Sequence, residues 1–303
     1  MADRIPVFPC GDDLRRHRRD PTQHRRASTS RSGGGVTTYS TAPAPDSDLG
    51  LLEDALRKTM ESTTGAALDA ALVGLGWHDM LTEMPDDTIP MVFRLLGETG
   101  AHAPVINDVV LVDAGREAGG VVPLPYTGGQ WIEWAREDRD TTALDAELPI
   151  ATVGSGDPVP VAAARRALGW WLVGTSRAML DLARTHALDR TQFGKPIAGF
   201  QAVRHRLAET YVAVEGAEAT LRAATDELGS LLAKAAAGRA AIIAARHCQQ
   251  VLGGIGFTAE HDLHRHIKRA LVLDGLLGSS RELTREAGAL IRAEGSAPRL
   301  VHL

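Results

Sequence analysis

Cationic, aromatic and glycine residues gather at two places in the chain. The first is Asp189-Arg190-Thr191-Gln192-Phe193-Gly194-Lys195-Pro196-Ile197, followed by Phe200-Gln201. The second is Gln250-Val251-Leu252-Gly253-Gly254-Ile255-Gly256-Phe257-Thr258-Ala259-Glu260. The chemistry these residue types suit is capture of a pyrophosphate, which needs cations and exposed backbone N–H donors. Arg190, just past a helix end, offers a bidentate fork. Gly253, Gly254 and Gly256 have no Cβ to hold a phosphate away from the backbone. Gln250 can both donate and accept, and Phe193 can pack on a planar base. Each residue also has a plainer reading. Gly253-Gly254 can end a helix, Phe193 and Phe257 can be core residues, and Arg190 can be a solvated cation complementing a helix dipole. His264 and His266 stand two apart, so they do not share a helix face and predict no metal site.

The elements that must position these groups are mostly helical. Residues 1–48 are polar and rich in Ser, Gly and Pro, and read as a disordered tail. Residues 49–112 read as an N-terminal helical domain, with apolar spacing over Leu51–Met60, a stretch from Ala66 to Leu75 ending at Gly76, and one from Ile89 to about Leu96. Pro90 falls in the first turn of that last stretch, which stops at Gly97 or Gly100. Asn107–Val112 begins another helix. Residues 113–160 change to short strands and turns, too few for an independent barrel or sandwich. Residues 161–303 read as a C-terminal four-helix bundle. Its helices are Val161–Leu188, Phe200–Leu228, Leu231–Leu252, His264–Leu277 and Ser280–Ala293, with breaks at Gly194-Lys195-Pro196, Gly229 and Gly253-Gly254.

The two motifs, in this order and at this separation, resemble those of the acyl-CoA dehydrogenases. The first is similar to that family's Arg-x-x-Phe-Gly-Lys/Arg-x-Ile link between two long helices. The second resembles its Gln-x-x-Gly-Gly-x-Gly-Phe/Tyr-Thr-x-Glu signature, and His264-Arg265-His266-Ile267-Lys268-Arg269 resembles the basic helix that follows. The resemblance is close over 161–293, weak over 49–112 and slight over 113–160. It implies a mostly α, acyl-CoA dehydrogenase-like fold and FAD as cofactor. The implied cofactor-binding set is Arg190, Gln192, Phe193, Gln201, Gln250, Gly253, Gly254 and Ser279, reaching across a subunit interface. Ser279-Ser280 matches the family's Thr-Ser pair near the flavin, while Ser280 also makes a good N-cap for the last helix.

Acyl-CoA oxidation in such a family needs a carboxylate base beside the substrate's α-carbon in a dry pocket. Counting forward from Gly256-Phe257, the usual Glu position falls on Leu277. The alternative position, on the first long helix of the bundle, falls on Ala164, before Arg165. Neither accepts a proton. Asp274, one helical turn before Leu277, points to a similar face and is the candidate catalytic residue; its plainer reading is a solvated helix-end acid. Glu282 reads as lying on the exposed face of the last helix. With so short a middle region, Pro125-Tyr126-Thr127-Gly128-Gly129 only faintly resembles the family's flavin-ring loop. The chain therefore reads as a shortened, actinobacterial-type subunit that pairs with a second dehydrogenase chain, or with itself, and brings the adenine- and pyrophosphate-binding groups. The resemblance further implies an acyl-CoA substrate, in fatty acid or steroid degradation, and an electron-transfer flavoprotein as electron acceptor. The alternative is a non-catalytic, degenerate structural or regulatory subunit.

Composition agrees with a globular domain: 303 residues, 44% hydrophobic and 23% charged. A net charge of −5 gives no reason to expect nucleic acid or an anionic membrane as partner. Arg15, Arg16, Arg18, Arg19, Arg25 and Arg26 cluster in the tail. The 2 cysteines, Cys10 and Cys248, predict no structural disulfide and a reducing, cytoplasmic setting. No apolar run is long enough to cross a bilayer.

Overall fold

The computed structural model describes residues 48–139, 141 and 143–296. The expected tail over 1–48, its arginine cluster and Cys10 lie outside the described residues, apart from Asp48, which opens the first helix. Among the described residues five helices come first: α1 Asp48–Ser62, α2 Gly65–Gly74, α3 Trp77–Glu83, α4 Pro85–Thr99 and α5 Ile106–Asp113. Helix α4 begins at Pro85, which takes the first helical position, and Pro90 lies inside it. The expected start at Ile89 is thus four residues late. Pro90 cannot donate to the carbonyl of Asp86, but Asp86 is exposed, so water can serve that carbonyl. The helix stops at Gly100, whose φ of 74° favours glycine. Gly97 is internal. The short α3, about two turns long, escaped the sequence reading because seven residues carry too little periodicity; it starts after Gly76, at φ 86°.

A three-stranded antiparallel sheet follows, in the order β1 Leu124–Tyr126, β2 Gln130–Trp134, β3 Ile150–Val153. Tyr126 pairs with Gln130, and Trp134 pairs with Ile150. Gly128 and Gly129 close the β1–β2 turn at φ 75° and 74°. Along β2, Ile132 and Trp134 face the core.

The bundle is built on α6 Ala162–Asp189, α7 Gln201–Ala223 and α8 Glu227–Leu252, each antiparallel to the next, with α9 Leu263–Gly275 and α10 Ser280–Glu294 packed around them. A two-stranded hairpin, β4 Thr191–Gln192 and β5 Lys195–Pro196, joins α6 to α7. The expected break at Gly229 falls instead between Ala223 and Glu227. The Asp226 side chain accepts from the Gly229 amide (2.6 Å) and caps α8 before that glycine. Helix α8 also corrects the reading that no apolar run could span a bilayer. Its mean hydropathy of 1.4 over a long enough stretch meets that test. Its alanine-lined face is buried against α6, α7 and α10, which is how a core helix behaves.

Helix α6 meets α4 backbone to backbone. A Cβ on Gly174 would stand 2.1 Å from the Arg94 carbonyl, and one on Gly97 would stand 2.4 Å from Thr175 N. Only glycine allows that approach. Beside it, fully buried Trp77, Phe93, Trp171 and Trp134 form a chain of ring contacts at 6.3, 5.8 and 5.6 Å.

Two buried ion clusters fasten the middle region to the helices. Asp108 accepts from Trp77 Nε1 (2.9 Å), the Gly119 amide (2.7 Å) and Arg136, which also grips Asp69 through both carboxylate oxygens. Arg269 on α9 pairs with Asp145 and Glu147 of the β2–β3 connection and donates to the carbonyls of Gly100 and Ala101. Burial and the Arg269 charge push His102 and His266 down to about 4. The unfolded chain therefore binds these protons at higher pH than the folded one. Stability is complete above about pH 6.5 and is lost as pH falls toward 4. Urea unfolding at pH 7 and 4.5 should show a lower midpoint at the acidic pH, with the difference reduced in His102→Gln and His266→Gln.

Candidate functional site

Because α6, α7 and α8 alternate in direction, the end of α6, the start of α7 and the end of α8 lie at one end of the bundle. Arg190 ends α6. Its amide donates to the His186 carbonyl (2.9 Å) and its carbonyl accepts from Ile197 (2.8 Å), which closes the hairpin. The guanidinium is exposed and has no ion-pair partner among the described residues. Phe193 turns the hairpin at φ 53° beside Gly194 at φ 78°, and is 91% exposed. Its ring meets Phe200 edge-on at 6.0 Å, and Lys195 Nζ lies 4.5 Å above the Phe200 ring. Gln192 donates to the Thr191 carbonyl (2.8 Å), and Gln201 is exposed at the start of α7.

Gln250 is exposed in the last turn of α8. Gly253 caps that helix at φ 64°, ψ −136°, a conformation almost confined to glycine. A Cβ on Gly253 or Gly254 would touch nothing within 4 Å, so nothing crowds either residue, although the Gly253 amide itself donates to the Gln249 carbonyl. Gly256 differs, since a Cβ there would crowd the Gln249 carbonyl at 2.9 Å. Gln249, which the sequence reading passed over, holds this loop by donating to the Gly256 carbonyl (3.3 Å). Phe257 is 69% exposed. The core reading of Phe193 and Phe257 is thereby excluded, whereas the helix-end reading of Gly253 stands. An exposed guanidinium, three carboxamides and glycines without a Cβ to crowd a ligand are residue types that fit the pyrophosphate and adenine end of FAD, on an open surface.

The α9–α10 turn has the opposite character. Leu277 is 1% exposed, with φ 57°. Its amide donates to the Pro125 carbonyl on β1 (2.8 Å), and its carbonyl accepts from Arg165 Nε (3.2 Å). Tyr126 bridges to Leu276 and lies on Gly275, where a Cβ would stand 2.6 Å from the phenol oxygen. Glu282 does not simply line an exposed face. It accepts from Ser279 N (2.9 Å), Ser279 Oγ (2.7 Å) and Gly128 N (2.9 Å), and these donors pull its carboxyl down to about 2. It therefore ties the β1–β2 turn to the start of α10. Ser279, not Ser280, is the N-cap, in a capping box with Glu282, so its hydroxyl is committed to the helix start.

Asp274 lies in the last turn of α9 and accepts from Ser280 N (3.1 Å) and Ser280 Oγ (3.5 Å). Gly238 on α8 leaves room for it, since a Cβ there would come within 2.0 Å of its Oδ1. The helix ends at Gly275, so the argument that Asp274 and Leu277 share a helical face fails. A cleft of about 170 Å³ beside β1, between the sheet and α9, is lined by Tyr126, Gln130, Ile132, Thr152, Leu271 and Val272. Cofactor sites run to roughly 300–1,000 Å³. This cleft does not fit a flavin ring system.

A larger groove follows the outer face of α6. It has two adjoining parts of about 650 and 560 Å³, lined by Arg57, Arg177 and Arg184 in one and by His186, His261 and Arg265 in the other. No motif marked it in the sequence, because its lining comes from separate helices. Arg165 pairs with Glu227 and Glu286, also invisible to motif reading.

Residues 161–289 match the family of the acyl-CoA dehydrogenase C-terminal domain. Acyl-CoA dehydrogenase FadE34 of Mycobacterium tuberculosis is 38% identical over 204 residues, 59% of this chain and 29% of that protein. Acyl-CoA dehydrogenase IpdE2 of Mycolicibacterium smegmatis is 35% identical over 168 residues, 53% of this chain and 54% of that protein. The chain thus spans about half or less of these relatives. The same fold occurs in the ChsE4-ChsE5 complex from Mycobacterium tuberculosis, at a TM-score of 0.59 and 20% identity over 83% of this chain and 97% of that one. It recurs in the Tcur3481-Tcur3483 steroid ACAD G363A variant, at 0.63 and 18% over 82% and 99%. The fold is mostly helical and acyl-CoA dehydrogenase-like: N-terminal helices, a short β region and a C-terminal helical domain.

The contacts of Asp274 make its loss a stability effect. Asp274→Ala should lower the unfolding free energy by about 0.5–2 kcal/mol, the range for a lost helix-start acceptor. An unchanged urea midpoint would contradict this placement.

Proposed function

We propose, from residues 161–289 being an acyl-CoA dehydrogenase C-terminal domain, that this chain is one subunit of a FAD-dependent acyl-CoA dehydrogenase and completes the FAD site of a second chain. The observation that carries the reading is the division between the two ends of the bundle. Exposed Arg190 and Gln250 stand at one end, and at the other Leu277, where the resemblance puts the base, is buried and bonded to β1.

Arg190 would neutralise a pyrophosphate oxygen through paired N–H donors. The exposed backbone at Gly254 would add a neutral donor close to it, Gly253 would let the phosphate approach because it has no Cβ, and Gln250 would fix the orientation. Phe193 would cover the adenine face, which removes an exposed ring from water. FAD, when bound, supplies the acceptor for the hydride removed in forming a 2-enoyl thioester. The α-proton would go to a carboxylate of the second chain, because Leu277 and Ala164 cannot take it. ChsE4-ChsE5 is a complex of two such chains by its name, which agrees with a pair of unlike subunits. The acyl-CoA substrate and delivery of electrons to an electron-transfer flavoprotein follow from the family. A non-catalytic, structural subunit is the second reading; the same sealed turn favours it, and it differs in leaving the flavin of the complex untouched.

Arg190→Ala tests the assignment. A charged hydrogen-bonded contact contributes about 1.5–3 kcal/mol, so FAD should dissociate from the complex roughly ten- to a hundred-fold more readily. Flavin content after gel filtration measures it, alongside a circular-dichroism melt that should not move. Equal flavin retention by the mutant complex removes Arg190 from the site.

A further inference from the structure

We propose that Lys234 is a proton-driven latch on the α9–α10 turn: uptake of a proton from water favours release of the turn, and with it of the docked β1–β2 hairpin. Lys234 sits on α8 and is fully buried. Its Nζ donates to two backbone carbonyls, Asp274 O at 2.9 Å and Gly278 O at 2.6 Å, which bracket the turn. It forms no ion pair among the described residues. Between those carbonyls Leu277 and Gly278 both stand at positive φ, 57° and 99°. For leucine that conformation is strained, and it persists only where neighbours over-determine it. Those neighbours are Lys234, Arg165 on the Leu277 carbonyl, and Pro125 on the Leu277 amide.

The charged and titratable groups facing Lys234 come from each element around it. Asp274 on α9 and Glu282 on α10 favour its ammonium form, and Arg165 on α6 opposes it. Tyr126 on β1 lies near Asp274, and burial and that carboxylate raise its phenol. Burial outweighs the rest and brings the Lys234 amine down to about 7 from an ordinary 10.5. Any opening that wets Nζ restores the ordinary affinity for a proton. Between pH 10.5 and 7 the open turn therefore holds a proton that the closed turn lacks. Raising the pH through this window closes the turn and lowering it loosens the turn; below about 7 both states are protonated and the dependence ends. Tyr126, raised in the closed state, titrates in the opposite sense and only above its ordinary range, near 10. This latch does not rest on the cofactor assignment, since flavin enters none of its steps.

Hydrogen exchange of the full chain, corrected for intrinsic rate, tests it at the Leu277 amide. Protection should be flat from pH 6 to 7 and then rise by up to about tenfold per pH unit toward pH 10. Lys234→Met, similar in length and without a charge, should abolish the rise. Trp171, in the α4–α6 contact, serves as the reference for global opening. Flat protection at Leu277 in the unmodified protein, or an equal rise at Trp171, overturns the latch, and either reading is available even if the Met variant does not fold.

Discussion

The hydrogen bond from the Leu277 amide to the Pro125 carbonyl joins the small sheet to the helical bundle, and much of the molecule is arranged to keep it. Leu277 reaches it only in a left-handed conformation that a leucine does not adopt unaided. Lys234 and Arg165 hold the flanking carbonyls, Gly275 admits the Tyr126 ring, and Glu282 draws the β1–β2 turn down onto α10. Gly238 in turn lets Asp274 pack against α8. Every polar group of residue 277 is used within the chain. A substrate approaching that residue would find neither a carboxylate nor a free backbone donor.

The other end of the bundle is built by the reverse principle. The Arg190 and Gln250 side chains are left exposed, and Phe193 is exposed but for its edge contact with Phe200, although the loops that carry them are well fastened by the Arg190–Ile197 and Gln249–Gly256 hydrogen bonds. Exposed aromatic rings on ordered turns are a surface that gains by being covered. A rigid scaffold with unpaired groups at one end and a closed turn at the other suits a chain that supplies part of a site and leaves the remainder to another chain.

Much of this was legible in the sequence, for reasons that differ by element. The long helices declared themselves by periodicity, and the two motifs by residue types that lie next to one another in the chain. The break at Gly194-Lys195-Pro196 and the cap at Gly253 rest on local residue types, so sequence reading reached them, though not the hairpin that Phe193 turns there. What it missed depends either on where a helix ends to the residue or on partners distant in sequence. Asp274 seemed to share a face with Leu277 until the helix was seen to end between them. Ser280 seemed the cap because the choice between adjacent serines rests on Glu282, which bonds Ser279. Gly97 seemed a helix stop, whereas it serves the contact with Thr175 on α6. Lys234 lies in an alanine-rich stretch, and nothing local says that it meets two carbonyls forty and more residues away.

The flavin content of the purified chain, alone and co-expressed with a second dehydrogenase chain, bears most directly on the division of the site. The visible absorption spectrum measures it. A colourless lone chain, and a yellow complex that bleaches with acyl-CoA, is the result this account predicts. A lone chain that carries stoichiometric flavin and bleaches by itself would contradict it, because the sealed turn at Leu277 would then have to open onto a complete site.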